Sequence, residues 1–109
     1  MMVSGAMADI PAERAGEVAA LLKLLANEQR LLLLCRLKKG EASVNELVDL
    51  CGLSQSSVSQ HLARMREAGL VKTRREQTTI HYSIASGDLE ALLMFLCDRF
   101  SGAPDREAA

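Results

Sequence analysis

The chain has 109 residues, a length that suits one domain and excludes two ordinary ones. Hydrophobic residues make up 49% and charged residues 25%, which excludes a disordered chain; the 33 Leu and Ala residues with only 3% aromatics favour helices over an all-β fold. The formal net charge of −1, taken alone, argues against a nucleic-acid partner.

Residues 1–10 read as a flexible N-terminus. Val18, Leu21, Leu22 and Leu25 recur at helical spacing and predict a first amphipathic helix over about 11–26, with Asp9 or Ile10–Pro11 as its start. Asn27 interrupts, and a second helix follows over about 28–39. Its run from Leu31 to Cys35 is apolar nearly all round, so it is expected at the buried centre, ending at Lys38, Lys39 and Gly40. Ser43 and Glu46 form a capping box that opens a third helix, with Leu47, Val48 and Leu50 as its apolar stripe. Gly52 permits a tight left-handed turn. Ser54 caps a fourth helix reaching about Glu67, with Val58, Leu62 and Met65 inward.

The period then changes. Residues 70–73 and 80–84 flank a polar stretch, Arg74 to Thr79, and read as a β-hairpin with a basic tip. A last helix from about Gly87–Asp88 to Phe100 carries Leu89, Leu92, Leu93, Leu96 and Phe100 on one stripe, with Met94 and Met65 also read as core. Residues 102–109 read as a frayed tail, leaving 11–101 as the folded domain. The fold class is therefore mainly α with a small hairpin, ordered α-α-α-α-β-β-α.

Motifs narrow the function. No run of 18 uncharged apolar residues is present to cross a membrane, and Met1–Ala8 lacks the pattern of a signal peptide. Three isolated cysteines, at 35, 51 and 97, then suggest reduced thiols in the cytoplasm. There is no CxxC, HxxxH or HExxH for a metal, no GxSxG elbow and no GxGxxG or GK[ST] loop for a nucleotide cofactor. An enzyme is disfavoured; a thiol peroxidase would need an activating cation, and Arg99 falls on a different face from Cys97 while Arg36 merely adjoins Cys35.

Helix, Gly turn, helix and hairpin is the order of a winged helix-turn-helix, whose second helix enters the DNA major groove. Opposite its apolar face the fourth helix carries Gln55, Ser56, Ser59, Gln60 and Arg64, with Ser57 and His61 nearby. Such hydroxyls and amides hydrogen-bond phosphates and base edges. The hairpin tip offers Arg74, Arg75, Gln77, Thr78 and Thr79 to the backbone or minor groove. Residues 54–82 carry net +3 and the other eighty net −4, so the near-neutral total conceals a basic segment. Lys38–Lys39 read as a helix-end charge pair with a weak phosphate role, and His81 as solvent-facing. A winged-helix protein-interaction module without DNA binding remains an alternative.

The runs Leu25–Leu31, Ser43–Leu47, Leu53–Leu62, Glu67–Val71 and Arg74–Glu76 together resemble the ArsR/SmtB family of small bacterial repressors over about residues 15–100. The resemblance implies a homodimer paired through its first and last helices. It also implies an inverted-repeat operator in double-stranded DNA, held until a metal, metalloid or reactive sulfur or oxygen species weakens binding. The family's third-helix thiolate site falls on Ala42-Ser43-Val44-Asn45, which has no Cys. Its last-helix zinc site falls on a helix without His, where Ser86, Asp88 and Arg99 stand. What remains resembles the family's thiol-switch branch, with Leu34-Cys35-Arg36-Leu37 matching its first cysteine. The position of its second cysteine holds Ser101, and Cys97 lies one turn earlier, about 40° round the helix and about 6 Å along it. The resemblance thus implies release of the operator when Cys35 and Cys97 are linked by reactive sulfur or oxidants, while Cys51, at the helix–turn junction, reads as structural. An alternative inducer is arsenite, antimonite or another soft metal held by thiolates of Cys35, Cys51 and Cys97.

Overall fold

The computed structural model describes residues 9–102. Of the flexible ends expected at 1–10 and 102–109, residues 1–8 and 103–109 lie outside the described residues. The order is α1 (Ala12–Leu25), α2 (Glu28–Lys38), β1 (Ala42–Ser43), α3 (Val44–Cys51), α4 (Gln55–Glu67), β2 (Val71–Glu76), β3 (Thr79–Ile84) and α5 (Gly87–Phe100). This is a winged helix-turn-helix in which the hairpin is completed by a third strand.

Each helix start has a local cause. Extended Pro11 precedes α1 without a side-chain cap. Asn27 is a cap and not merely an interruption, for its side chain accepts from the Arg30 amide at 3.0 Å and satisfies one of the first orphan N–H groups of α2. Ser43 accepts from the Glu46 amide at 3.3 Å while Glu46 accepts from the Ser43 amide at 2.9 Å, the expected reciprocal box. Ser54 caps α4 and Ser86 caps α5 in the same manner. Between α3 and α4, Gly52 sits at φ 69°, a left-handed conformation that a side chain would strain.

The sheet order is β1-β3-β2, all antiparallel. β1 was not foreseen: two residues, Ala42 and Ser43, pair with Tyr82 and His81, too short a stretch to leave an alternating pattern. The hairpin is tighter than expected. Its turn is Gln77–Thr78 alone, so Arg74 and Arg75 lie within β2 and Thr79 opens β3 instead of sharing the tip. Gln77 takes φ 58°, the positive value that two-residue hairpin turns demand.

The core gathers Leu33, Leu34 and Leu37 of α2, Leu47 of α3, Val58, Leu62 and Met65 of α4, Leu70, Val71, and Leu89 and Leu93 of α5. Several expectations about inward faces are corrected. Leu32, at 47% exposure, faces outward, so α2 is not buried all round. Leu50 stands 49% exposed although it lies only about 60° round α3 from buried Leu47, because this short helix buries little beyond that one position. Leu22, Met94 and Phe100 are exposed as well. In α5 the two fully covered positions, Leu89 and Leu93, are one turn apart, and Met94 lies about 100° round from Leu93. Truncation in the core and on this outward face should therefore differ. Leu34→Ala is expected to cost about 2–5 kcal/mol in urea unfolding and Leu32→Ala no more than roughly 0.5 kcal/mol; equal losses would contradict the assigned faces.

Candidate nucleic-acid interface and thiol pair

The outward face of α4 is assembled as its sequence implies. Val58, Leu62 and Met65 are buried, which turns Gln55, Ser56, Ser59, Gln60 and Arg64 to the surface. Ser57 is half-buried and accepts a hydrogen bond from the Ser54 hydroxyl at 3.1 Å, so it belongs to the cap more than to the surface. His61 is also half-buried. Its Nδ1 lies 3.4 Å from Nη1 of Arg30, and burial, then the positive charges of Arg30 and Arg64, lowers its pKa. A neutral His61 accepts at Nδ1 from the Arg30 guanidinium. The same guanidinium donates through Nε to the Leu24 carbonyl at 2.6 Å. One arginine of α2 thereby joins the end of α1 to α4.

Beside this face runs a groove of about 490 Å³, bounded by Ser43, Val44, Asn45, Gln55, Thr78, Thr79 and Ile80. It brings the wing turn to the first turns of α3 and α4. Asn45 is an addition, since in the sequence it stood only inside the capping box. Its exposure in the first turn of α3 was the available signal.

The wing arginines differ in what they hold. The Arg74 fork grips Glu41 with Nε–Oε2 2.9 Å and Nη2–Oε1 2.7 Å, and Glu76 adds a contact at 3.6 Å. Arg74 faces His81 across the ladder, and His81 faces Ser43, so this side chain spans all three strands to reach the residue before β1. The hydrogen bond from Arg74 draws the Glu41 carboxyl below its ordinary pKa. Arg75 donates through Nε to the Gln77 carbonyl at 3.2 Å and makes no ion pair among the described residues. His81, expected to face solvent, is half-buried with 21% of its side chain exposed and lies 3.6 Å from Glu76.

The second site lies between α2 and α5. Sγ of Cys35 and Sγ of Cys97 are 3.5 Å apart. The one-turn displacement of Cys97 from Ser101 therefore does not separate the pair, and Ser101 borders the same cleft of about 620 Å³. Burial, then the hydrogen bond and proximity of Cys97, pushes the Cys35 thiol up to about 11, with Lys38 and Lys39 pulling the other way. Cys51 packs on the core at the end of α3 and is not part of this cleft. Among the described residues no three Cys, His, Asp or Glu side chains gather as a metal-binding group. The arrangement of three thiolates around a soft metal is thus not assembled in this chain.

Known proteins agree with this architecture. Residues 27–73 match the family described as bacterial regulatory protein, arsR family. The chain is 44% identical over 84 residues to the transcriptional activator HlyU of Vibrio cholerae, spanning 77% of this chain and 78% of that protein. The solved structure of reduced HlyU superposes with TM-score 0.79 at 41% identity, over 83% of this chain and 95% of that one. The biofilm growth-associated repressor of Agrobacterium fabrum is 46% identical over 89 residues, 78% of this chain and 76% of that protein. A homodimeric winged helix-turn-helix DNA-binding domain from Mycobacterium bovis superposes with TM-score 0.72 at 32% identity, over 87% of this chain and 91% of its own. With identities of this size over more than two thirds of each partner, the chain belongs to the ArsR family of bacterial regulatory proteins.

Proposed function

We propose that the chain is a homodimeric repressor that binds an inverted-repeat operator and releases it when Cys35 and Cys97 become linked. The observation that carries the switch is the 3.5 Å separation of the two sulfurs. The DNA reading rests on the exposed polar face of α4 beside the wing groove, and repression on the likeness to a named repressor. Leu22 on α1 and Met94 and Phe95 on α5 are exposed in the single chain. Their exposure supports pairing through the first and last helices, where a second copy would cover them. Two recognition helices related by a two-fold axis would read half-sites about 34 Å apart.

Within each half-site, Gln55, Ser56, Ser59, Gln60 and Arg64 face the groove edges. Arg75, Gln77, Thr78 and Thr79 supply the wing, with Asn45 at the rim. Arg74, held by Glu41, positions the wing, and Ser57 and His61 position α4.

The switch is chemically balanced with an organic persulfide. Cys35 takes the outer sulfur of the persulfide and releases the thiol; Cys97 then attacks the persulfidated Cys35 and releases hydrogen sulfide, leaving a disulfide. A disulfide needs the sulfurs at about 2.05 Å, so they must approach by about 1.5 Å, a gap that side-chain rotation and movement of α2 against α5 close together. Arg30 and Arg36 ride on α2. The first grips His61 of α4, and the second donates to the Gly40 carbonyl at 3.0 Å, beside Glu41 and the wing. A shift of α2 would therefore reach both DNA-facing elements.

Three outcomes test this reading. Fluorescence anisotropy on an inverted-repeat operator should show salt-dependent binding, and Arg75→Ala should lower the log–log salt slope by about one per protomer contact; binding indifferent to salt and to Arg75 would instead indicate a protein-interaction module. Persulfide treatment should weaken operator binding in the parent protein and leave Cys35→Ser and Cys97→Ser variants bound, with mass spectrometry reporting the linked peptides; release without linkage removes the switch. Because Cys35 stays protonated below about 11, its alkylation by iodoacetamide should accelerate roughly tenfold per pH unit from 7 to 10; levelling off from about pH 9 would show an ordinary exposed thiol.

A further inference from the structure

The cleft around the thiols is built for more than two sulfurs. Leu31 of α2 and Leu93, Leu96 and Phe100 of α5 give it apolar walls, and Lys38 and Lys39 stand at its edge beside Cys35. Its volume of about 620 Å³ falls within the range of small-molecule sites. Neither lysine has an acidic partner within 4 Å among the described residues. An apolar trough bordered by two uncompensated ammonium groups complements an amphiphile with an anionic head. The cleft faces away from Phe95, while Met94 of the surface proposed for pairing lies about 60° from Cys97 around α5. Phe95 precedes Cys97 by two residues, which places it roughly 160° away around α5.

We propose that this cleft binds a long-chain carboxylate bearing a hydroperoxide group, and that the bound hydroperoxide is an oxidant that links Cys35 to Cys97. The inference rests on the thiol-switch reading above and names the ligand class of that switch. The carboxylate pairs with Lys38 and Lys39, and the hydrocarbon lies on Leu31, Leu96 and Phe100. The Cys35 sulfur attacks the terminal peroxide oxygen. The O–O bond breaks, the alkoxide leaves with the thiol proton as an alcohol, and Cys35 becomes a sulfenic acid. Cys97, 3.5 Å away, attacks that sulfur; the S–O bond breaks, water leaves and the disulfide closes. The two thiols lose two electrons and the peroxide gains them.

This arrangement locates selectivity in binding, not in intrinsic thiol reactivity. Burial keeps Cys35 mostly protonated, so a small hydrophilic peroxide in dilute solution meets little thiolate. A peroxide held in the cleft reacts at a high effective concentration.

The test uses the reduced full chain and follows loss of two hydrogens by intact mass, with equal concentrations of linoleic acid hydroperoxide, its methyl ester and hydrogen peroxide. The acid is expected to form the Cys35–Cys97 disulfide about tenfold faster, or more, than either other peroxide. In a Lys38→Gln, Lys39→Gln double variant the acid-to-ester rate ratio should fall to about one. Diamide, which needs no binding site, separates the two levels of inference. Failure of diamide to link Cys35 with Cys97 overturns the switch itself. Linkage by diamide with equal rates for the three peroxides, or an acid-to-ester ratio that survives loss of both lysines, overturns the ligand site.

Discussion

The apolar packing of α2 is the constraint on which the other elements depend. Leu33, Leu34 and Leu37 are covered on their respective sides by α1, α3, β3 and α5. A helix so placed cannot move alone, since close-packed interiors transmit displacements instead of absorbing them. The same helix holds Cys35 on one flank and Arg30 and Arg36 on others. Arg30 donates to the end of α1 and to His61 of α4, and Arg36 to the loop that leads into β1. Chemistry at the α2–α5 contact and geometry at the DNA-facing side thus share one rigid body.

Electrostatics complete that division. The net charge of −1 is a sum over an acidic body and a basic segment of α4 and wing. Part of the basic segment is spent internally, because Glu41 neutralises Arg74, whereas Arg75 braces the turn through the Gln77 carbonyl and keeps its charge. Arg64, Arg66 and Lys72 also remain turned to solvent. A modest outward field favours a binder whose affinity depends on fitted contacts, and such contacts are sensitive to small movements of α4.

Much of the fold was legible before any coordinates. Five helices and the hairpin follow from capping residues and from changes of hydrophobic period, and Ser43, Ser54 and Gly52 act as their types demand. The outward face of α4 was legible for the same reason, since burying Val58, Leu62 and Met65 determines the opposite side. Residues whose roles depend on distant strands were not. Arg74 looked like a free cation at a tip because nothing local reveals that Glu41, 33 residues earlier, lies across the sheet. β1 is invisible for a similar reason, as only its pairing with β3 makes it a strand. Leu22 and Met94 misled because periodicity reports apolar faces without saying whether the chain's own core covers them. Cys97 shows the reverse case, in which departure from a family position still leaves the two sulfurs 3.5 Å apart.

The bridge from Arg74 to Glu41 has a consequence for counting ions. A wing arginine that meets a phosphate ordinarily releases one condensed counterion from the DNA. Were Arg74 to turn to a phosphate, it would first abandon Glu41, and that carboxylate would recruit a cation from solution. The two exchanges nearly cancel. A salt titration therefore undercounts phosphate contacts made by any arginine that already has an internal acid, and the number of ions released measures unpartnered cations, not touching ones.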